Sequence, residues 1–258
     1  MTERGERERK RNRIFTAVVV IIAVAAIAAA AFRAFSTYRM YRESHSEYDS
    51  LISHAVSENE EARYDQSLPP VSVDFDYLTE KNQDTRAWIC MNQLGISYPV
   101  VRGVDNYLYR NETFLKNENN AGCIFIDYRV DSGFNDPNTV IYGESIKNGS
   151  MFGSLNKLTS ENIVRSDPYV WIMLPDKSLR YRIFSIHEDT RGIGVYSFFN
   201  GKDSGFVEYA KKMASESDIP LDIPDFNKDS RIITLSAETN EENGNYVVQA
   251  LLDKTLQN

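Results

Sequence analysis

Cysteine and histidine are scarce in this chain. It has two cysteines, Cys90 and Cys123, and three histidines, His45, His54 and His187, in 258 residues. There is no C-x-x-C spacing and no dense Cys/His cluster, so a structural zinc module is excluded and no metal or cofactor is expected. Both cysteines sit in strand-like contexts and read as small buried hydrophobes, with a disulfide between them left open. Positive charge is also short: 29 Lys+Arg against 37 Asp+Glu give a net charge of −8 and a pI near 5.1, which argues against nucleic acid as a partner of the folded part. With Gly 13 and Pro 8 the chain is not of low complexity, and no internal repeat is visible. What is left is an ordinary globular composition, long enough for one sizeable domain with appendages.

The charge is unevenly spread. Arg4, Arg7, Arg9, Lys10, Arg11 and Arg13 make residues 1–13 a basic tail, and an uncharged apolar run follows from Ile14 to Phe32. At about 1.5 Å per residue that run crosses a hydrocarbon core of about 30 Å. The basic cluster places the N-terminus in the cytoplasm, so residues 14–32 read as a single-pass signal-anchor in the cell membrane with the remainder extracellular. Arg33, Arg39 and Arg42 weaken that asymmetry, and Ala28 to Ala31 offer the competing reading of a cleaved signal peptide. Residues 33–70 read as a juxtamembrane helix and linker. Tyr41, Tyr48, Leu51, Ile52 and Ala55 fall at helical spacing within Phe35 to Tyr64, and Leu68-Pro69-Pro70 ends the stretch. His45 and His54 belong to this helix as solvated residues.

Residues 71–258 read as one β-barrel or sandwich domain with a short helix, Asp74 to Thr85, at its start. Strands are expected at Ala87 to Val101 about a Gln93-Leu94-Gly95 turn, at Ala121 to Arg129, and at Asn138 to Tyr142 running into Gly143-Glu144. Gly149 to Leu158 reads as a short helical segment, and a hairpin turns at Pro175-Asp176-Lys177. Phe206, Val207, Tyr209, Ala210 and Met213 mark an amphipathic helix capped by Ser204 or Asp203. Last comes the hairpin Arg231 to Leu252. Ile232, Ile233, Thr234 and Leu235 form its first strand, Asn243-Gly244 its turn, and Tyr246 to Leu252 its return.

The blocks WI at 88–89, ISYPVV at 96–101, AGCIFIDYR at 121–129, NTVIYGE at 138–144, GSMFGSLNK at 149–157 and the closing hairpin, in this order, resemble class B sortases. The resemblance implies an eight-stranded β-barrel with N-terminal helices and an inserted helix near 204–216 before the last strands. It implies a chemistry too. In the family a cysteine attacks a sorting-signal peptide at a Thr–Gly bond, a histidine handles the proton, an arginine steadies the oxyanion, and a cell-wall amine resolves the thioester.

Carried over position by position, the family's Tyr-Gly-His is Tyr142-Gly143-Glu144. Its Thr-Leu-x-Thr-Cys becomes Thr234-Leu235-Ser236-Ala237-Glu238, and the arginine opening the next strand becomes Asn245. A carboxylate is a weak nucleophile toward an amide, an ordinary glutamate carries no proton at neutral pH, and an asparagine lacks the fixed charge of arginine. The expectation is therefore a pseudoenzyme whose groove, with Tyr142, Ser236, Thr239 and Tyr246, holds a sorting-signal-like peptide or partners an active sortase. Two alternatives stand beside it. Glu144 and Glu238 could serve as a cation site or an acid–base pair of another kind, or a displaced nucleophile, Cys123 with His187, could keep the chain an active sortase.

Overall fold

A computed structural model describes residues 3–131, 133–188, 194–199, 204–238 and 245–258, with backbone alone for residues 3–11, 204 and 238. The chain divides into two units, one up to Glu43 and one from Ser44 to Asn258. Helix α1 (Glu3–Ala55) provides all of the first. It is long and apolar enough to cross a membrane, and Phe15, Ile21, Ile27 and Phe32 are exposed along it.

The second unit begins with the last turns of α1. Tyr48, Leu51 and Ala55 recur at helical spacing and are buried. The Glu47 carboxylate accepts hydrogen bonds from Thr113 Oγ1 at 2.8 Å, the Leu115 amide at 2.9 Å and Asn117 Nδ2 at 3.0 Å. Tyr48 Oη donates to the Gly122 carbonyl at 2.9 Å. The helix stops at Ala55, short of the expected Tyr64. From there β1 (Val56–Glu58) pairs antiparallel with β2 (Val71–Val73). Helix α2 (Phe75–Lys81) follows, capped by Asp74, whose carboxylate accepts from the Tyr77 amide at 2.9 Å.

The body is a closed barrel of eight strands, which is the expected fold. They are β3 (Thr85–Met91), β4 (Ile96–Val101), β5 (Ile124–Ile126), β6 (Asn138–Glu144), β7 (Tyr169–Met173), β8 (Lys177–His187), β9 (Ile232–Glu238) and β10 (Tyr246–Gln257). Around the ring the order is β10, β8, β7, β3, β4, β5, β6, β9. The β4–β5 and β6–β9 pairs are parallel and the others antiparallel. The expected β3–β4 hairpin turns at Gly95, whose φ of +66° is the left-handed conformation that glycine adopts without strain. In β3, β6 and β9 most residues on both faces are buried, so their sequences read as continuous β-branched and apolar runs rather than strict alternation.

Helix α4 (Ser204–Ser215) covers one outer face of the barrel. Its Phe206, Ala210, Met213 and Ala214 pack with Phe184, Val195, Phe226, Ile232 and Val247. Burying a Phe or Met side chain of this kind contributes about 1.5–3 kcal/mol, so Phe206→Ala is the single change that would most loosen the helix. The proposed cap Asp203 lies outside the described residues, and Ser204 is the first helical residue.

Three expectations are corrected. The strand foreseen over Ala121 to Arg129 shrinks to β5. Gly122 has φ +61° and a Cβ there would meet the Tyr109 and Arg110 carbonyl oxygens at 2.8 Å, and Asp127 Oδ1 accepts from the Arg129 amide at 2.9 Å, turning the chain away. The helical segment of Gly149 to Leu158 begins only at Leu155, as a 3-10 turn to Thr159, and α3 (Glu161–Ser166) follows it unforeseen. The last strand runs on to Gln257, held by β8 as far as Lys177.

Candidate functional site

Strands β6 and β9 run side by side with Tyr142 opposite Ser236, Gly143 opposite Ala237 and Glu144 opposite Glu238. Strand β10 returns along the other edge of β9, with Val247 opposite Ser236 and Tyr246 opposite Ala237. Residues 144, 238 and 245 therefore meet at one end of three adjacent strands. Thr239 and the Asn243-Gly244 turn lie outside the described residues. Paired residues share a face and successive residues alternate, so Tyr142, Glu144, Ser236 and Val247 lie on one face. Tyr246 lies on the other, and its buried hydroxyl has no hydrogen-bond partner among the described residues. It therefore does not line the floor shared by Tyr142 and Ser236. Gly143 is fixed by packing: a Cβ there would meet the Phe152 ring at 2.8 Å.

Two polar networks hold the floor. In the first, Tyr142 Oη donates to Asp127 Oδ2 at 3.1 Å, and Asn106 Nδ2 donates to the same oxygen at 2.9 Å. Arg129 grips the fully buried Asp127 with Nε at 2.9 Å and Nη2 at 2.7 Å. Burial pushes the Asp127 carboxyl up, but these donors outweigh it and hold it below the usual carboxylate range. Tyr142 is pushed well above the usual phenol value by burial and by the Asp127 charge. The Arg129 guanidinium also lies over the Phe198 ring, 3.9 Å from its centroid.

The second network joins residues far apart in sequence. Tyr196 Oη and Ser236 Oγ are 2.8 Å apart, and Asn245 Nδ2 donates to Tyr196 Oη at 2.9 Å and to Ser236 Oγ at 3.3 Å. The Tyr196 ring lies 6.0 Å from that of Tyr142. Ser236 is fully buried beneath this arrangement and Tyr142 nearly so. Sequence reasoning had not singled out Tyr196, Asp127, Arg129 or Asn106. The signal for Tyr196 was there, since Tyr196-Ser197-Phe198-Phe199 is an aromatic run between a strand and a helix.

No family model matches the chain. It is 30% identical over 178 residues to Sortase B of Listeria monocytogenes, a match covering 68% of this chain and 72% of the relative. The chain belongs to the class B sortase family. Sortase B from B. anthracis, solved in complex with AAEK1, superposes with a TM-score of 0.70 at 26% identity, over 84% of this chain and 99% of that one. Sortase B of Clostridium perfringens does so with a TM-score of 0.65 at 28% identity, over 70% and 100%.

Cys90 and Cys123 are free and buried, in line with their reading as small buried hydrophobes. Burial pushes each thiol up to about 12. Cys123 precedes β5 and lies against Tyr48 of α1. His187 is on β8, separated from β5 by β7, β3 and β4 in one direction round the ring and by β10, β9 and β6 in the other. The structure does not bring them together. Instead His187 is buried beside Ser185, 2.7 Å from its hydroxyl. The one Ser185 proton goes to the Met213 carbonyl at 2.7 Å, so His187 Nε2–H is the donor to Ser185. Among the described residues, no group of three His, Cys, Asp or Glu side chains could hold a metal ion.

Proposed function

We propose that this member of the class B sortase family is a non-catalytic, membrane-anchored peptide-binding protein. The observation that carries the reading is the register of β6, β9 and β10. It gathers residues 144, 238 and 245, the positions the resemblance assigns to base, nucleophile and oxyanion partner, and they are Glu, Glu and Asn. Amide cleavage there would require a carboxylate to attack, an ionised acid to protonate the leaving amine, and a neutral amide to replace a cation. The scaffold around these positions is kept, which supports a groove that still receives an extended peptide. Purified Ser44–Asn258 should bind a synthetic peptide containing a Thr–Gly bond in calorimetry, without cleaving it and without forming a thioester. Turnover above a buffer blank that vanishes with Cys123→Ala or Cys90→Ala would overturn the reading and revive a displaced nucleophile.

The apolar part of α1 supports anchoring with the basic tail in the cytoplasm and the barrel outside. Protease added to intact cells should then degrade the barrel and leave the anchor. Soluble protein in the medium with a new N-terminus near Ala31 would indicate a cleaved signal peptide. The pairing of Glu144 with Glu238 supports a second reading, in which two carboxylates at one strand end bind a cation.

A further inference from the structure

Ser236, on the β9 floor, is fully buried and already engaged. Its hydroxyl is shared with Tyr196 Oη and Asn245 Nδ2, and these three side chains close a triangle with edges of 2.8, 2.9 and 3.3 Å. Tyr196 is its hub: it comes from the segment between β8 and α4, whereas Ser236 is in β9 and Asn245 immediately precedes β10. Its neighbours are tied down as well. Tyr209 Oη of α4 donates to the Val195 carbonyl at 2.5 Å, and Asn138 Nδ2 of β6 donates to the Ser197 carbonyl at 2.9 Å. Residues 194–199 thus lie across β6 and β9, and the Tyr196 ring approaches Tyr142 from above.

An arginine at position 245 would bring a charged fork that prefers carboxylates and carbonyl oxygens. Asn245 is neutral and short, and its amide matches a phenol and a hydroxyl at once. We infer that Asn245 is a positioning residue which, through Tyr196, latches residues 194–199 onto Ser236, so that the floor accepts a ligand only when this triangle is given up. The latch stands whatever ligand the groove takes. Its consequence for peptide rests on the peptide-binding reading above. A peptide must then supply groups that replace the Tyr196 and Asn245 bonds, and part of its binding free energy goes into opening the segment.

Limited chymotrypsin digestion of Ser44–Asn258, with cut sites assigned by mass spectrometry, tests the latch without any ligand. Tyr196→Phe keeps an aromatic cleavage site and removes only the hydroxyl. Tyr196→Phe and Asn245→Ala should each speed cutting after residues 196, 198 and 199 on the order of tenfold, the effect of losing one or two hydrogen bonds. The double variant should be no faster than Tyr196→Phe alone, because both act through one hub. The melting temperature should stay within a few degrees of wild type. If Asn245→Ala lowers it further, Ser236→Ala paired with Tyr196→Phe makes the same comparison. Wild-type cutting rates in the single variants, or effects that multiply in the double, would overturn the latch. Calorimetry with the Thr–Gly peptide is the second arm. Binding to Tyr196→Phe should be up to about tenfold tighter than to wild type. Faster cutting without any peptide binding would leave the latch standing and remove the peptide reading.

Discussion

Glu144 on β6 and Glu238 on β9 are directly opposed in a parallel ladder. In a parallel sheet neighbouring strands are about 4.8 Å apart, so the backbones at these two positions lie at close range. Asn245 immediately precedes β10 on the other side of β9 and donates to Ser236 Oγ, two positions before Glu238. On the proposed reading these three positions act as one unit.

Reverting the three positions together should therefore behave differently from reverting each. Glu144→His, Glu238→Cys and Asn245→Arg combined should produce acyl transfer from a sorting-signal peptide above a blank, whereas each single reversion should produce none, since such groups act non-additively. Product formation by mass spectrometry reads the result. Adding Tyr196→Phe to the triple variant should raise the rate further, because the new arginine must displace that hydroxyl. A folded but inactive triple variant would mean that the groove has been reshaped. Attention would then turn to the Glu pair, with millimolar calcium raising the melting temperature in wild type and not in Glu144→Gln.

Stability should fall with pH through the histidine range because of His187. Burial lowers its pKa, opposed by the facing Asp218 and Glu216 charges. The depressed folded value means that the unfolded chain binds the proton more readily. The contribution is complete above the unfolded value of about 6.5 and is lost as pH falls from there through the folded value. Urea midpoints measured from pH 7.5 to 5 should decline in wild type, and His187→Gln should flatten that decline. An unchanged slope in the variant would mean that other groups govern the transition.

Asp127 makes the same argument at lower pH. Its folded carboxyl is held below the usual range by Arg129 and Asn106 against the opposing effect of burial. Its contribution is therefore present above about pH 4 and is lost as pH drops through the folded value. Asp127→Asn should cost about 1–3 kcal/mol at pH 7, discounted because the Arg129 side chain is half exposed, and should shrink the loss of stability between pH 5 and 3. It should also loosen Tyr142, seen as a lower phenol ionisation midpoint in ultraviolet titration, since both burial and the Asp127 charge raise it now.

Much of the barrel was legible because its signals are local. Ile232 to Leu235 and Tyr246 to Leu252 announce the paired strands β9 and β10, and Phe206, Ala210 and Met213 announce α4 by period alone. Residues 144, 238 and 245 are named by the resemblance to class B sortases, and the strand register brings the three positions to one end of adjacent strands. The networks around them could not be read. Tyr196 and Ser236 are 40 residues apart, and their contact depends on how a segment without regular structure lies on the sheet. Tyr246 pairs with Ala237, so strand alternation puts it on the face opposite Ser236. The shortness of β5 followed from the Asp127 turn and the Gly122 conformation, which override the apolar run between them.

The end of α1 sets where a soluble fragment must begin. Cutting before Ser67 would remove Tyr48 and Leu51, each worth about 1.5–3 kcal/mol on burial. It would also remove the three hydrogen bonds to Glu47 and the β1–β2 pairing. Those losses leave Thr113, the Leu115 amide and Asn117 without their carboxylate and uncover Cys123. Ser44–Asn258 should melt cooperatively, and Ser67–Asn258 should melt at least about 10 °C lower, taking about 2–4 °C per kcal/mol for a domain of this size. Glu47→Ala in the longer fragment should lower the melting temperature by roughly 4–8 °C. Thiol labelling separates this account from a general loss of stability. Cys123 should react with a bulky disulfide reagent in native Ser67–Asn258 and stay protected in native Ser44–Asn258, while Cys90 in β3 stays protected in both. Equal protection of Cys123 in the two fragments would show that the helix end contributes little to the barrel wall.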